Sequence, residues 1–96
     1  MVGGFWDLPA SLQTPERPGW AHQDIVEHFA RYAELCFARF WPLVADWITF
    51  NEPEVFTNRG YGDGSSAPGL KGMELQASRN VLLAHARAVD VGAVRG

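Results

Sequence analysis

Cysteine occurs once in this 96-residue sequence, at Cys36, so no disulfide can form within the chain. Its place in a helical pattern reads as a buried structural thiol. Basic residues are few: eight Lys and Arg stand against eleven Asp and Glu, for a net charge of −3. The charges are interspersed and no basic stripe forms, which argues against nucleic acid as a partner. No apolar run approaches the roughly 20 residues of a membrane-spanning helix, so no membrane role is read. Met1-Val2-Gly3-Gly4 shows neither the basic nor the apolar region of a signal peptide. His22, His28 and His85 have no metal-ligand spacing with one another or with Cys36. Gly60 to Gly72 holds five glycines but neither glycine fingerprint of a phosphate cradle. Ser65 and Ser66 lack the flanking glycines of a nucleophile elbow. Internal repeats and low-complexity tracts are also missing.

What the chain does have is apolar bulk. Hydrophobic residues make up 47%, and four residues are tryptophan, a globular composition and not a disordered one. The length permits one small domain at most. Met1 to Phe5 reads as a strand stub weakened by Gly3 and Gly4. Trp6-Asp7-Leu8-Pro9 follows as a strand-end turn, and Pro15, Pro18 and Gly19 mark a loop. A helix is predicted from Gln23 or Asp24 to Phe40, with Asp24 and Glu27 at capping-box spacing. Ile25, Val26, Phe29, Tyr32, Ala33, Cys36, Phe37 and Phe40 recur at steps of three and four and give it one apolar face. Glu27 and Arg31 are placed to pair on the opposite face. A strand is predicted from Asp46 to Phe50, then a helical turn over Glu54 to Asn58 and a flexible loop. A second helix follows from Met73 to Val91, with Leu75, Val81, Leu82, Ala84, Ala88 and Val89 among its apolar positions. Strand, helix, strand, helix implies parallel strands joined by a crossover helix, an α/β arrangement.

The run Trp47-Ile48-Thr49-Phe50-Asn51-Glu52-Pro53 is the most informative part of the chain. Its aromatic and β-branched residues read as a strand that stops at a carboxylate. Pro53 removes a backbone donor and biases Glu52 toward extended geometry. Asn51 and Glu52 then sit at the carboxyl end of a strand, where barrels and open α/β sheets place their chemistry. For an arbitrary Asn-Glu-Pro the plainer reading is a polar strand end before a turn; a glutamate there, with Trp47, Phe50 and Phe56 near it in sequence, also suits a general acid kept from water. Other polar residues have blander readings. His85 reads as a packing residue, Asp7 as a turn residue, Trp6 and Trp20 as core, and Glu54 as a solvated loop carboxylate.

These seven residues resemble the acid/base motif of glycoside hydrolase family 1, the β-glucosidase family. The resemblance extends to Trp6-Asp7-Leu8-Pro9 with Leu12-Gln13, and to Gly19-Trp20 with Asp24-Ile25-Val26 and Phe29 to Ala33. It continues through Gly60-Tyr61-Gly62, Ala67-Pro68-Gly69 and Asn80 to Ala86, nearly the whole chain. It implies about a quarter of a (β/α)8 TIM barrel, from the end of the third strand to the fourth helix, predominantly helical as a piece. Residues 1–96 would then be a fragment of a catalytic barrel, since a closed one needs roughly 250 residues. The implied activity is retaining hydrolysis of β-linked glycosides, with no metal or organic cofactor. The implied roles are Glu52 as catalytic acid/base and Asn51 as the residue that binds the sugar 2-hydroxyl.

Two departures from the family pattern stand out. Where the family has a sugar-binding histidine before Trp-Asp-Leu-Pro, this chain has Phe5, which cannot donate that hydrogen bond. The Glu-Asn-Gly motif of the family's nucleophile is not present, and the one glutamate beyond Glu54 is Glu74, in a helix. A fragment inactive on its own is therefore expected. The alternative is a non-catalytic truncated product or a binding module on the same scaffold.

Overall fold

The computed structural model describes residues 2–4, 8–44 and 46–95, giving side chains within 8–44 and 46–92. The readings placed on Phe5, Trp6 and Asp7 lie outside the described residues. Among the described residues, two short strands and three α-helices follow one another as β1 (Val2–Gly4), α1 (Ile25–Phe40), β2 (Ile48–Phe50), α2 (Pro53–Tyr61) and α3 (Glu74–Arg95), with short 3-10 turns at Ala10–Leu12 and Gly19–Ala21. The strands pair in parallel, Val2 opposite Ile48 and Gly4 opposite Phe50, with α1 as the crossover. The fold is predominantly helical.

The apolar face of α1 is buried as its spacing demands: Ile25, Val26, Phe29, Ala30, Ala33 and Cys36 all point inward. Tyr32 and Phe40, expected on that face, are largely exposed. Tyr32 lies at the margin of the stripe, and Phe40 is the last residue of the helix. The expected capping box does not form. Asp24 has helical dihedrals and its side chain makes no cap. Its carboxylate instead has His22 Nδ1 at 2.7 Å and Arg17 Nε at 3.4 Å. The first amides of α1 donate to backbone carbonyls of the preceding turn, Ile25 to His22 and Val26 to Gln23.

Helix α3 lies against α1 through small residues. Ala77, Val81, Ala84 and Ala88 are buried, with Asn80 among them. Leu75, Leu82 and Val89 are exposed instead. They stand seven residues apart and form a separate apolar stripe away from α1. Glu27 feels the charge of Arg31, as their spacing suggests, but takes hydrogen bonds from another helix. Arg87 reaches it from α3, Nε to Oε2 at 3.0 Å and Nη2 to Oε1 at 3.2 Å, a forked fit that a neighbour on the same helix does not match. That hydrogen-bonded guanidinium holds the Glu27 carboxyl below the usual carboxylate range.

Two segments are more ordered than their composition suggests. The single turn expected over Glu54 to Asn58 is the nine-residue helix α2. The glycine-rich loop after it is pinned backbone to backbone. Asp63 bridges Lys71. Leu70 donates to Gly60 at 2.8 Å and Met73 to Tyr61 at 2.7 Å. Strand β2, in contrast, is shorter than expected and begins at Ile48.

Candidate active site at the carboxyl end of the second strand

Strand β2 ends at Phe50, whose ring is buried, and the next two side chains turn outward. Asn51 and Glu52 are both exposed. Pro53 is the first residue of α2, a position where its missing N–H costs nothing and its fixed φ suits the helix. The Glu52 carbonyl accepts the Val55 amide at 3.0 Å and the Phe56 amide at 3.3 Å, so Glu52 is the hinge between strand and helix.

The expectation of extended backbone at Glu52 is wrong. Its dihedrals are φ 46° and ψ 59°, the left-handed region, and among the described residues no other non-glycine has a positive φ. The physical reason is the reversal itself. The chain passes from strand to helix within two residues, and the following proline disfavours the right-handed conformation. A left-handed glutamate costs on the order of 1–3 kcal/mol and persists only where its surroundings over-determine it. Strain of this kind concentrates at functional positions.

The aromatic wall expected around Glu52 is not there. Phe50 stacks on Phe29 with centroids 4.6 Å apart and meets Trp20 edge-on at 5.2 Å. Phe56 is fully buried and packs on Trp20 at 6.1 Å. Trp47 packs on Phe37 at 5.0 Å. Phe50 and Phe56 serve the interior, Trp47 is half-buried against α1, and the carboxylate faces outward. The turn therefore rests on an aromatic floor.

Beneath that floor lies an arrangement that sequence reasoning missed. Trp20 is the core residue it was taken for, 1% exposed, but its backbone is also held on both sides. Its N–H donates to the Tyr61 hydroxyl at 2.9 Å, and its carbonyl accepts Asn80 Nδ2 at 2.8 Å. Gly19 has φ +55°, and any Cβ there would collide with the Tyr61 hydroxyl, so glycine is required twice over. Burial pushes the Tyr61 hydroxyl up from its ordinary value, against the smaller opposite pull of the Trp20 N–H it accepts. The one signal available in sequence was Asn80, a polar residue within the apolar half of a helix.

The other polar candidates fall away from the pair. Glu54 is exposed in the first turn of α2, on a helix and not a loop. His85 is not a packing residue: it is exposed, with Nδ1 2.7 Å from Thr49 Oγ1. Among the described residues, no three His, Cys, Asp or Glu side chains stand together in a way that could hold a metal ion. Among the same residues, no helix is long and apolar enough to cross a membrane.

Comparison with known proteins gives this geometry its context. The family model described as Glycosyl hydrolase family 1 matches residues 4–93. Beta-glucosidase 4 of Oryza sativa subsp. japonica is 50% identical over 92 residues, 90% of this chain and 18% of that protein. The beta-glucosidase from Thermotoga maritima, solved in complex with glucoimidazole, superposes with a TM-score of 0.87 at 41% identity, over 94% of this chain and 20% of that one. A rice β-glucosidase mutant in a covalent complex with Glc superposes at 0.91 with 32% identity, over 97% of this chain and 22% of that one. The chain thus spans about a fifth of the length of these relatives.

Proposed function

The chain belongs to glycosyl hydrolase family 1, and from that premise we propose that residues 1–96 are a segment of a retaining β-glycosidase barrel. The segment would be about a quarter of that barrel, from the end of its third strand to its fourth helix. Within it Glu52 is the general acid/base, and Asn51 binds the sugar 2-hydroxyl. The substrate is a β-linked glucoside or a close relative. The observation that carries this reading is Glu52 itself, exposed at the carboxyl end of β2 in left-handed backbone.

Two carboxyl groups about 5–5.5 Å apart perform such a hydrolysis. Protonated Glu52 gives its proton to the glycosidic oxygen as a second carboxylate attacks the anomeric carbon. The aglycone leaves and a glycosyl ester forms. Glu52, now ionised, takes a proton from water, which displaces the ester and releases the sugar with retained configuration. The covalent sugar complex of the rice relative supports this two-step scheme. This chain supplies one of the two carboxylates. Water exclusion and the opposed carboxylate fall to the rest of the barrel.

The test uses a complete barrel: residues 4–93 grafted in place of the matching segment of the Thermotoga maritima enzyme. Glu52→Gln should slow glycosylation steeply for aryl glucosides with poor leaving groups. Activated ones, which depart without a proton, should be slowed far less. Equal loss across the series would remove Glu52 from the acid role. Phe5, in place of the family's histidine, favours the competing reading of a non-catalytic scaffold. A folded graft inert toward every substrate would support that reading.

A further inference from the structure

The two aromatic residues that bracket Asn51 and Glu52 lean on one ring. Phe50 meets Trp20 at 5.2 Å, and Phe56 meets it at 6.1 Å. One of these residues ends β2, and the other lies in the first turns of α2. Trp20 is therefore wedged under both arms of the left-handed turn. It cannot slide along its own segment, because Tyr61 of α2 holds its amide and Asn80 of α3 holds its carbonyl. Resting on the acid/base reading of Glu52, we infer that Trp20 is a positioning residue for that carboxylate. It acts through Phe50 and Phe56 and does not touch substrate.

The argument is geometric. A residue that merely filled the core would sustain the fold as a whole, and its loss would lower the population of active enzyme. Trp20 does something more local. Its ring fixes the separation of the strand end and the helix start, and the backbone between them has one non-glycine in a conformation it does not favour. With the ring made smaller, the two arms can approach and the turn can relax. The carboxylate then swings away from the line of the leaving oxygen. A misplacement of about 1 Å at a reacting group costs about 10²-fold in rate. Proton donation suffers most, since it depends on a directed hydrogen bond, while departure of an activated leaving group hardly senses it.

The experiment uses the same grafted barrel with Trp20→Phe, beside Glu52→Gln and a core control, Val26→Ala. Tyr61→Phe is the second arm. It loosens the anchor of Trp20 without changing the indole, and it keeps the question answerable if Trp20→Phe does not fold. Trp20→Phe is expected to lower kcat/KM, which reports the glycosylation step, by about ten- to a hundredfold for a poor leaving group. The same variant should lose less than about threefold for an activated one. Tyr61→Phe should show the same split at smaller size, and Val26→Ala no split. If Glu52→Gln splits the series while Trp20→Phe and Tyr61→Phe lose both substrates equally, Trp20 is core alone and the inference fails. If Glu52→Gln itself shows no split, or the unmutated graft is inert, the reading of Glu52 fails first.

Discussion

Replacing Tyr61 by phenylalanine removes one oxygen atom and leaves the ring in place. That oxygen accepts the Trp20 amide at 2.9 Å in a buried setting. The variant keeps the apolar burial of a side chain that is 1% exposed and strands a single N–H donor. An unsatisfied buried donor costs about 1–3 kcal/mol. At about 1.4 kcal/mol per factor of ten, the opening that exposes Trp20 becomes about 5- to 150-fold more frequent. Backbone amide exchange in the grafted barrel reads this directly. The Met73 amide is the internal control, because it donates to the Tyr61 backbone carbonyl, which the substitution preserves. Trp20 should exchange faster and Met73 should not. Equal acceleration at both would mean general loosening, and no change at Trp20 would mean that the hydroxyl carries no load; either result refutes the argument. A pH titration supplies a second readout. Burial raises the Tyr61 hydroxyl, so the folded state keeps its proton where an unfolded tyrosine, near pH 10, has begun to lose it. The contribution is intact below about pH 10 and is lost as pH climbs from there toward the raised value. Tyr61→Phe should remove that alkaline decline, leaving the part due to Tyr32, which burial also raises.

Three further outcomes are expected. Glu52→Gly in the grafted barrel should stabilise it by up to about 1.5 kcal/mol, the left-handed cost of about 1–2 kcal/mol less the entropy of a new glycine of about 0.5–1. Glu52→Gln should leave the urea midpoint unchanged, and a destabilising Glu52→Gly would show that the turn is not strained. The isolated 96-residue chain should not hydrolyse an activated aryl β-glucoside, because Glu52 has no opposed nucleophile; turnover that Glu52→Gln abolishes would overturn this. With Leu75, Leu82 and Ile48 exposed and only two strands paired among the described residues, the isolated chain should self-associate in sedimentation. A monomer with a cooperative thermal transition would contradict that expectation.

Large apolar side chains at helical spacing made α1 legible from Ile25 to Cys36, since only one face of a helix can gather them. The parallel pairing of β1 and β2 was legible too, because a helix separates the strands. On α3 the same logic failed. Its buried seam is built from Ala77, Ala84 and Ala88, which carry little hydrophobic signal, while the conspicuous Leu75 and Leu82 face outward. The order within the glycine-rich loop was hidden because backbone groups impose it, as from Leu70 to Gly60. Asn51 and Glu52 were read as a strand-end pair, and they are one. The left-handed turn was not foreseen, because the rule for a residue before proline favours extended backbone, and the reversal from strand to helix overrides it here. The Trp20 anchor was invisible for a simpler reason: its partners lie 41 and 60 residues away.

That separation bears on how the protein is made. A ribosome delivers Trp20 well before Asn80, and at about 5–20 residues per second the interval is about 3–12 s. Through that interval the Trp20 carbonyl has only water to bind, and α3 does not yet exist to cover the first helix. The nascent turn at Glu52 would emerge onto a floor still lacking its last fastener. The part of the chain proposed to handle the proton would then settle only after α3, which supplies Asn80, has left the tunnel.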